Sequence, residues 1–124
     1  MNIEFLIIAL IIGKSVDWIL QTRHQAENKT TSFKVLFEHS LTYALYTTSI
    51  PVLIVGITNL FIIIYLFVML LITHILIDDR RLVKYIMSKK EIKPEDMSKS
   101  FLWLQIGIDQ RLHELVILVM ALSI

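Results

Sequence analysis

Residues 40–77 read SLTYALYTTSIPVLIVGITNLFIIIYLFVMLLITHILI, and this stretch contains no Asp, Glu, Lys or Arg. A helix needs roughly 20 apolar residues to cross the hydrocarbon core of a bilayer, so the stretch is long enough for about two crossings. Within it, Pro51, Gly56 and Asn59 are the residues that favour a kink, a turn or a helix end. The stretch therefore predicts two membrane-spanning helices joined near Gly56.

The composition of the whole 124-residue chain points to the same class of protein. Hydrophobic residues make up 56% of the chain and charged residues 19%, whereas a soluble domain averages about 45–50% apolar and 25% charged residues. The chain has no cysteine, which excludes disulfide frameworks, thiolate zinc sites and cysteine nucleophiles. The net charge of +1 gives no basic field that would favour nucleic acid, so we expect no nucleic-acid partner.

Four apolar segments predict an all-α integral membrane protein, a four-helix bundle that forms a single transmembrane domain over residues 1–124. The expected spans lie at about 3–21, 33–56, 60–77 and 101–124. The acidic Glu4, and not a basic leader, precedes the first apolar run, so we expect a retained span instead of a cleaved signal. Basic and apolar residues are interspersed over 78–99, which predicts a short interfacial amphipathic segment between helices 3 and 4.

The distribution of Lys and Arg predicts how these spans are oriented. Basic residues are concentrated in the first and third loops, and the second loop, near Gly56, has none. Because basic loops stay in the cytoplasm, we expect a multi-pass inner-membrane protein with loops 22–32 and 78–100 cytoplasmic and both termini outside. The 79–99 loop is expected to contact anionic lipid, with docking of a phosphorylated ligand as the alternative.

Ionisable residues inside the apolar spans are the strongest functional signal in the chain, because each costs about 2.5–3.5 kcal/mol at a helix centre. His74 and Asp78 are four residues apart, and Asp109 and His113 repeat that spacing in the fourth span. Side chains four residues apart lie on one face of a helix. His39 is near the start of the second span, at a similar depth below the cytoplasmic surface. We therefore expect these side chains to converge in one cytoplasm-facing site.

Neutral imidazoles and carboxylates are ligands that a zinc-like divalent ion prefers, so the sequence predicts a metal site with such an ion as its cofactor. The expected metal ligands are His39, His74, Asp78, Asp109 and His113. An ion held in this way makes its bound water a nucleophile near neutral pH, with Glu114 or Asp17 as the catalytic base. Gln21 and Thr42 are expected to orient the ligands.

The same residues are compatible with three functions. The first is metal-dependent hydrolysis of a lipid-linked or phosphorylated substrate. The second is a channel or transporter subunit in which these residues relay protons or pass an ion, and since four spans are few for a monomeric transporter, it requires a homo-oligomer. The third is a membrane scaffold without chemistry, in which charges only pair, Lys14 with Asp17 and Arg111 with Glu114.

Five short stretches of the chain follow one another in a distinctive order. They are DWILQT at 17–22, AENK at 26–29, HSLTY at 39–43, HILID at 74–78 and DQRLH at 109–113. This order resembles a bacterial and phage membrane protein family known as domain of unknown function 3307. The resemblance implies a small helical inner-membrane protein, adds Lys29 and Gln110 to the residues expected around the site, and supplies no activity. Members of that family often have His four residues before the first Asp, where this sequence has Gly13. The His and Asp pattern also looks like that of membrane-bound metal-dependent hydrolases, in composition only.

Overall fold

A computed structural model describes residues 1–90 and 98–124 of the chain, without the side chains of 98–102. Over these residues every regular element is helical, so the predicted all-α class is confirmed. Helix α1 covers Ile3–Ser15 and continues as a π-helical turn over Val16–Leu20; it is followed by α2 (Arg23–Asn28), α3 (Phe33–Val55), α4 (Leu60–Asp78), α5 (Arg81–Lys89) and α6 (Ser98–Ser123).

The four long helices, α1, α3, α4 and α6, form a closed bundle in which each helix packs against two others. Helix α1 contacts α3 and α6, and α4 contacts the same two helices. The main-chain N–H of Asn2 donates a hydrogen bond to the carbonyl oxygen of Ala121 over 2.9 Å, so the first and last helices meet where the chain begins and ends. The short helices α2 and α5 connect the long ones at the opposite end.

The interior of the bundle is divided into an apolar half and a polar half. The apolar core lies toward the end that holds the termini and includes Phe5, Val52, Leu66 and Met120. The polar half comes from the other ends of the same helices, next to α2 and α5, and its side chains form the candidate site. Because consecutive long helices run in opposite directions, residues at the end of one and the start of the next share a level.

Local sequence determines where several of these helices begin and end. The side chain of Asn2 accepts a hydrogen bond from the N–H of Phe5, and that of Asn59 caps α4 in the same way. Gly56 ends α3 with a φ of 76°, a left-handed conformation that glycine adopts without strain. Pro51 lies buried inside α3 and does not end it, because the helix continues to Val55.

The predicted amphipathic segment corresponds in part to α5, which packs against α4 and α6. Its residues Val83 and Met87, four apart, are buried, while its Leu82 and Tyr85 are exposed. A helix with this arrangement has one apolar face toward the bundle. The rest of the predicted segment includes residues 91–97, which lie outside the described part of the chain.

Among the described helices, α4 is the one that is long and apolar enough, by length and composition, to cross a membrane. Helix α1 has 13 residues before its π-helical turn, and α3 and α6 are less hydrophobic on average than α4. The four helices coincide with the four predicted apolar segments. That all four cross a bilayer, with the predicted orientation, stays a prediction.

Candidate metal centre

Six buried or nearly buried acids and imidazoles meet in the polar half of the bundle. They are Asp17 from the π-helical turn after α1, His39 from α3, His74 and Asp78 from α4, and Asp109 and His113 from α6. Every one of these side chains is less than a tenth exposed; the largest value is 7%, at Asp17. The predicted convergence of His39, His74, Asp78, Asp109 and His113 is therefore confirmed, and Asp17, expected as a catalytic base of the same site, lies with them.

Asp17 lies within the π-helical turn at Val16–Leu20 and is almost fully buried. Lys14, three residues earlier, is mostly exposed. The two therefore do not pair, which corrects the pairing expected of them in the scaffold alternative. The Nζ of Lys14 instead lies 2.6 Å from an oxygen of Glu114.

A first group of possible ligands consists of Asp17, His39, His74 and Asp78, whose nearest ligand atoms all lie within 4.8 Å of one another. The Oδ2 of Asp78 is 3.2 Å from the Nε2 of His39 and equally far from the Nε2 of His74. The Oδ1 of Asp17 is 3.2 Å from the Nε2 of His39 and 3.6 Å from that of His74. Two imidazoles and two carboxylates thus point at a common centre.

A second group consists of Asp78, Asp109 and His113, again with ligand atoms within 4.8 Å. The Nε2 of His113 is 3.5 Å from the Oδ1 of Asp78, and its Nδ1 is 4.0 Å from the Oδ2 of Asp109. Asp78 belongs to both groups. All three side chains are buried.

The hydrogen bonding of His74 and His113 separates this cluster from an ordinary polar network. Within the described part of the chain, neither ring nitrogen of His74 or of His113 has a hydrogen-bond partner, although carboxylate oxygens lie nearby. A buried polar atom without a partner costs about 1–3 kcal/mol, and proteins rarely retain such atoms without a reason. Three of these four nitrogens, the Nε2 of His74 and both nitrogens of His113, lie within 4.0 Å of a carboxylate oxygen, and a divalent ion would satisfy one nitrogen of each ring.

Three of the residues expected to orient ligands do contact the cluster. The Nζ of Lys29 lies 2.8 Å from the Oδ2 of Asp78, in a pair that is almost fully buried. The Nε2 of Gln21 lies 3.3 Å from the Nε2 of His39. The side-chain amide of Gln110 lies 3.5 Å from one oxygen of Asp17 and from one of Asp109.

Two predicted site residues lie elsewhere. Glu114 pairs with Lys14 and, over 2.5 Å, with Arg111, as its spacing from Arg111 predicted. The hydroxyl of Thr42 donates to the carbonyl oxygen of Glu38 in its own helix over 3.0 Å. Glu114 is thus neutralised at the edge of the bundle, and Thr42 bonds to its own backbone, so neither fits the role expected of it. Asp17 remains the catalytic candidate at the cluster.

Tyr43 holds His74 in place and was not identified from the sequence. Its ring stacks on the imidazole of His74, with the ring centroids 3.8 Å apart and the planes inclined by 18°. Tyr43 in turn fits against Gly13: a Cβ atom at Gly13 would lie 2.9 Å from the Oη of Tyr43 and 3.3 Å from the Cδ1 of Ile117. The absence of a side chain at Gly13 therefore makes room for the ring that positions a metal-ligand candidate.

Replacing Gly13 by Ala is expected to weaken metal binding by about 10-fold or more, the loss typical of disturbing a residue that orients a ligand. The added methyl group forces the ring of Tyr43 to shift, and His74 with it. Isothermal titration with Zn²⁺ in detergent measures the effect. Gly107→Ala is the matched control, because a Cβ there meets nothing within 4 Å. Equal affinities for the two variants would contradict the role given to Tyr43.

A cavity of about 150 Å³ opens beside the cluster. Its lining includes Asp17 and Asp109 from the cluster, together with the basic residues Lys29 and Arg80. The Nη1 of Arg80 donates to the Oε1 of Gln105 over 3.3 Å, while its buried Nε has no partner among the described residues. A small anion that enters the cavity would meet both cations and the carboxylates.

The backbone of Arg80 adopts a left-handed conformation with a φ of 62°. The residue after a helix C-cap commonly adopts this conformation, and Arg80 follows the C-cap Asp79 of α4; a residue other than glycine pays about 1–3 kcal/mol for it. From the sequence Arg80 was only one of several basic loop residues, and no turn-forming residue marks its position. The structure assigns it to the wall of the cavity.

Fold and site together define an all-helical bundle protein with a buried cluster of histidines and aspartates that could hold a metal ion. Residues 5–124 match the family described as "Protein of unknown function (DUF3307)". The chain belongs to this family, and the resemblance drawn from the sequence is confirmed. No curated protein and no solved structure matches the chain.

Proposed function

We propose that this protein is a membrane-embedded hydrolase that uses a divalent metal to cleave phosphate esters, free or carried by a lipid. One observation supports the proposal above all others. The four ring nitrogens of His74 and His113 are buried without hydrogen-bond partners among the described residues, and three of them lie within 4.0 Å of a carboxylate oxygen of the same cluster.

A purely structural network would be arranged differently. In such a network the buried imidazoles would donate to the carboxylates, as Lys29 donates to Asp78 over 2.8 Å. His74 and His113 instead have carboxylate oxygens at 3.2–3.6 Å in directions that give their ring nitrogens no well-aligned hydrogen bond. Neutral imidazole nitrogens beside carboxylate oxygens form the donor set of catalytic zinc sites. This arrangement favours a metal centre over the scaffold alternative.

The membrane location is proposed from the outer surface of the bundle. Large apolar side chains point outward from several of the long helices, including Ile11 at 60% exposed, Leu53 at 78% and Phe61 at 85%. Exposed apolar side chains in this number suit lipid better than water. We propose that the end carrying α2 and α5 faces the cytoplasm, as the basic loops predict. Contact of the 79–99 loop with anionic lipid and formation of a homo-oligomer also remain proposals.

The cavity supports a phosphorylated substrate. Lys29 and Arg80 bring two positive charges to a wall that also holds Asp17 and Asp109. A guanidinium group matches the geometry of a phosphate and binds it through paired charge-assisted hydrogen bonds. The unpartnered Nε of Arg80 gives the phosphate a buried donor.

The reaction consumes one water molecule. Its oxygen bonds to phosphorus, the bond from phosphorus to the alcohol oxygen breaks, and a proton derived from the water ends on that alcohol. A bound divalent ion lets water ionise near neutral pH and supplies the nucleophile. Asp17 lines the cavity and is the carboxylate that accepts the proton of the attacking water.

The proposal is tested on the full chain, purified in detergent without chelator. We expect bound Zn²⁺ or Mn²⁺, and release of phosphate from p-nitrophenyl phosphate or from phosphatidic acid in mixed micelles. Chelation should stop the release and added metal should restore it. Turnover of phosphatidic acid alone would identify a lipid substrate. Protein that binds neither metal, or that binds metal without cleaving either ester, would overturn the proposed activity.

Replacing Arg80 by Gly removes the side chain proposed to bind phosphate and keeps a residue that suits the left-handed backbone. We expect kcat/KM to fall by about 10- to 100-fold, because a hydrogen bond to a charged group contributes about 1.5–3 kcal/mol. The free energy of unfolding should stay the same or rise by about 1 kcal/mol, because glycine relieves the left-handed backbone. Steady-state kinetics and thermal unfolding measure the two effects. Arg81→Gly is the control, since the side chain of Arg81 is 89% exposed; equal kinetics for both variants would contradict the role of Arg80.

A further inference from the structure

We propose that the cluster holds two divalent ions, one in each group of ligands, bridged by the carboxylate of Asp78. This inference rests on the proposed metal centre and deepens it, because the sequence led us to expect a single ion. It also narrows the substrate to a phosphate monoester.

The two oxygens of Asp78 face different imidazoles. Its Oδ2 lies 3.2 Å from the Nε2 atoms of His39 and His74, whereas its Oδ1 lies 3.5 Å from the Nε2 of His113. A carboxylate whose oxygens point to two separate sets of nitrogens is placed to bridge two ions.

The oxygens of Asp17 also face two imidazoles. Its Oδ1 lies 3.2 Å from the Nε2 of His39, and its Oδ2 lies 3.8 Å from the Nδ1 of His113. That nitrogen is on the other side of the ring from the Nε2 that faces Asp78, so Asp17 and Asp78 do not share one second ion through His113. Asp78 is therefore the bridging carboxylate, and Asp17 stays available as the base at the cavity wall.

The number of possible ligands also exceeds what one ion uses. A catalytic zinc ion takes three protein ligands and a water molecule, and six acids and imidazoles converge here. After the first group is assigned, the second side keeps its own buried atoms without partners among the described residues: the Oδ1 of Asp109 and both ring nitrogens of His113. Ions in two-metal sites lie about 3.5–4 Å apart, a separation that one bridging carboxylate spans.

The charges around the cavity favour a doubly charged substrate. Two divalent ions, Lys29 and Arg80 would bring more positive charge than the carboxylates of Asp17, Asp78 and Asp109 neutralise. The excess positive charge favours a phosphate monoester, with two negative charges, over a singly charged diester. Two ions can also stabilise the attacking oxygen and the leaving oxygen at once, which is how two-metal phosphatases act.

Metal stoichiometry tests the inference on the full chain in detergent. Protein loaded with Mn²⁺ and freed of excess metal is analysed by mass spectrometry, and electron paramagnetic resonance reports coupling between neighbouring ions. We expect about two ions per chain with a coupled signal. Asp109→Asn, which changes only the second group, should leave about one ion and an uncoupled signal. Asp79→Asn is the matched control, because Asp79 follows Asp78 in sequence but pairs with Arg81 instead.

The possible results separate the two proposals. A single ion in the unaltered chain would overturn the two-ion inference and leave the proposed hydrolase intact. Two ions that both persist in Asp109→Asn would also overturn it, because the second ion would then lie elsewhere. Absence of any bound ion would remove both proposals. Should Asp109→Asn fail to fold, His113→Gln probes the same group, and circular dichroism checks the helices of each variant.

Discussion

Protein in which His74 is replaced by Phe should lose its tightly bound metal and its hydrolytic activity while keeping its fold. Phe retains the ring that stacks on Tyr43, with centroids 3.8 Å apart in the native pair, but it carries no nitrogen. We expect the loss of metal affinity to exceed the roughly 10- to 100-fold that follows from disturbing an outer partner, because a direct ligand is removed. Isothermal titration and phosphate release measure the two losses.

The stability of the metal-free protein decides whether His74 is a ligand or part of a structural network. If His74 serves as a ligand, the metal-free Phe variant should be at least as stable as metal-free native protein, because two buried nitrogens without partners are gone. If the imidazole holds the bundle together through its acids, the same variant should be destabilised by about 1–3 kcal/mol. Thermal unfolding in chelator measures the sign. His24→Phe is the control, since His24 is exposed on α2.

The core of the site could be predicted because its residues obey helical spacing. His74 and Asp78 are four apart in an uncharged helix, and their Nε2 and Oδ2 atoms lie 3.2 Å apart. That spacing fixes a shared face whatever the rest of the fold does. Ionisable side chains are costly next to lipid, so this face of α4 is expected to point into the bundle. The same argument placed Asp109 and His113 correctly.

The pairing of long charged side chains could not be predicted in the same way. Lys14 and Asp17 are three residues apart on one helix, but Asp17 is buried in the site while Lys14 is mostly exposed, and no residue in the sequence marks this difference. Lys14 then reaches Glu114 on another helix. Which partner a flexible side chain finds depends on neighbouring helices, so it requires the tertiary structure.

Tyr43 and Arg80 both belong to the site, but only Tyr43 could have been predicted from the sequence. Tyr43 follows His39 by four residues, so helical spacing alone would have put it on the face of the site. Arg80 has no such signal, because a left-handed backbone is normally marked by glycine or asparagine and its φ of 62° becomes visible only in the structure. The sequence thus predicts which helical residues face inward, but not the irregular backbone that completes the cavity.

Replacing Lys29 by Met should destabilise the metal-free protein by about 3–5 kcal/mol, the cost of breaking a buried ion pair. The Nζ of Lys29 lies 2.8 Å from the Oδ2 of Asp78, and their side chains are 9% and 1% exposed. Met fills the same space but leaves the carboxylate without its positive charge. Thermal unfolding in detergent with chelator measures the loss.

Added metal should reverse much of that loss, which a structural ion pair alone would not allow. A divalent ion at Asp78 supplies the positive charge that the variant lacks, and anything that binds only the folded state stabilises it. Because the ammonium group and the ion use the same oxygen, the variant should also bind Mn²⁺ more tightly than native protein does. Titration of each protein with Mn²⁺ during unfolding measures both effects.

Lys34→Met is the matched control for this comparison. The side chain of Lys34 is 85% exposed and lies 3.9 Å from Glu38, and exposed pairs of this kind contribute about 0.2–1 kcal/mol at most. Its stability should differ little from native protein, with or without metal. If Mn²⁺ stabilised the Lys29 variant no more than the Lys34 variant, the charge on Lys29 would be compensating Asp78 for folding alone. Asp78 would then be a structural partner and not a ligand. If Asp78 binds the ion, removing the ammonium group of Lys29 must increase the stabilisation by Mn²⁺.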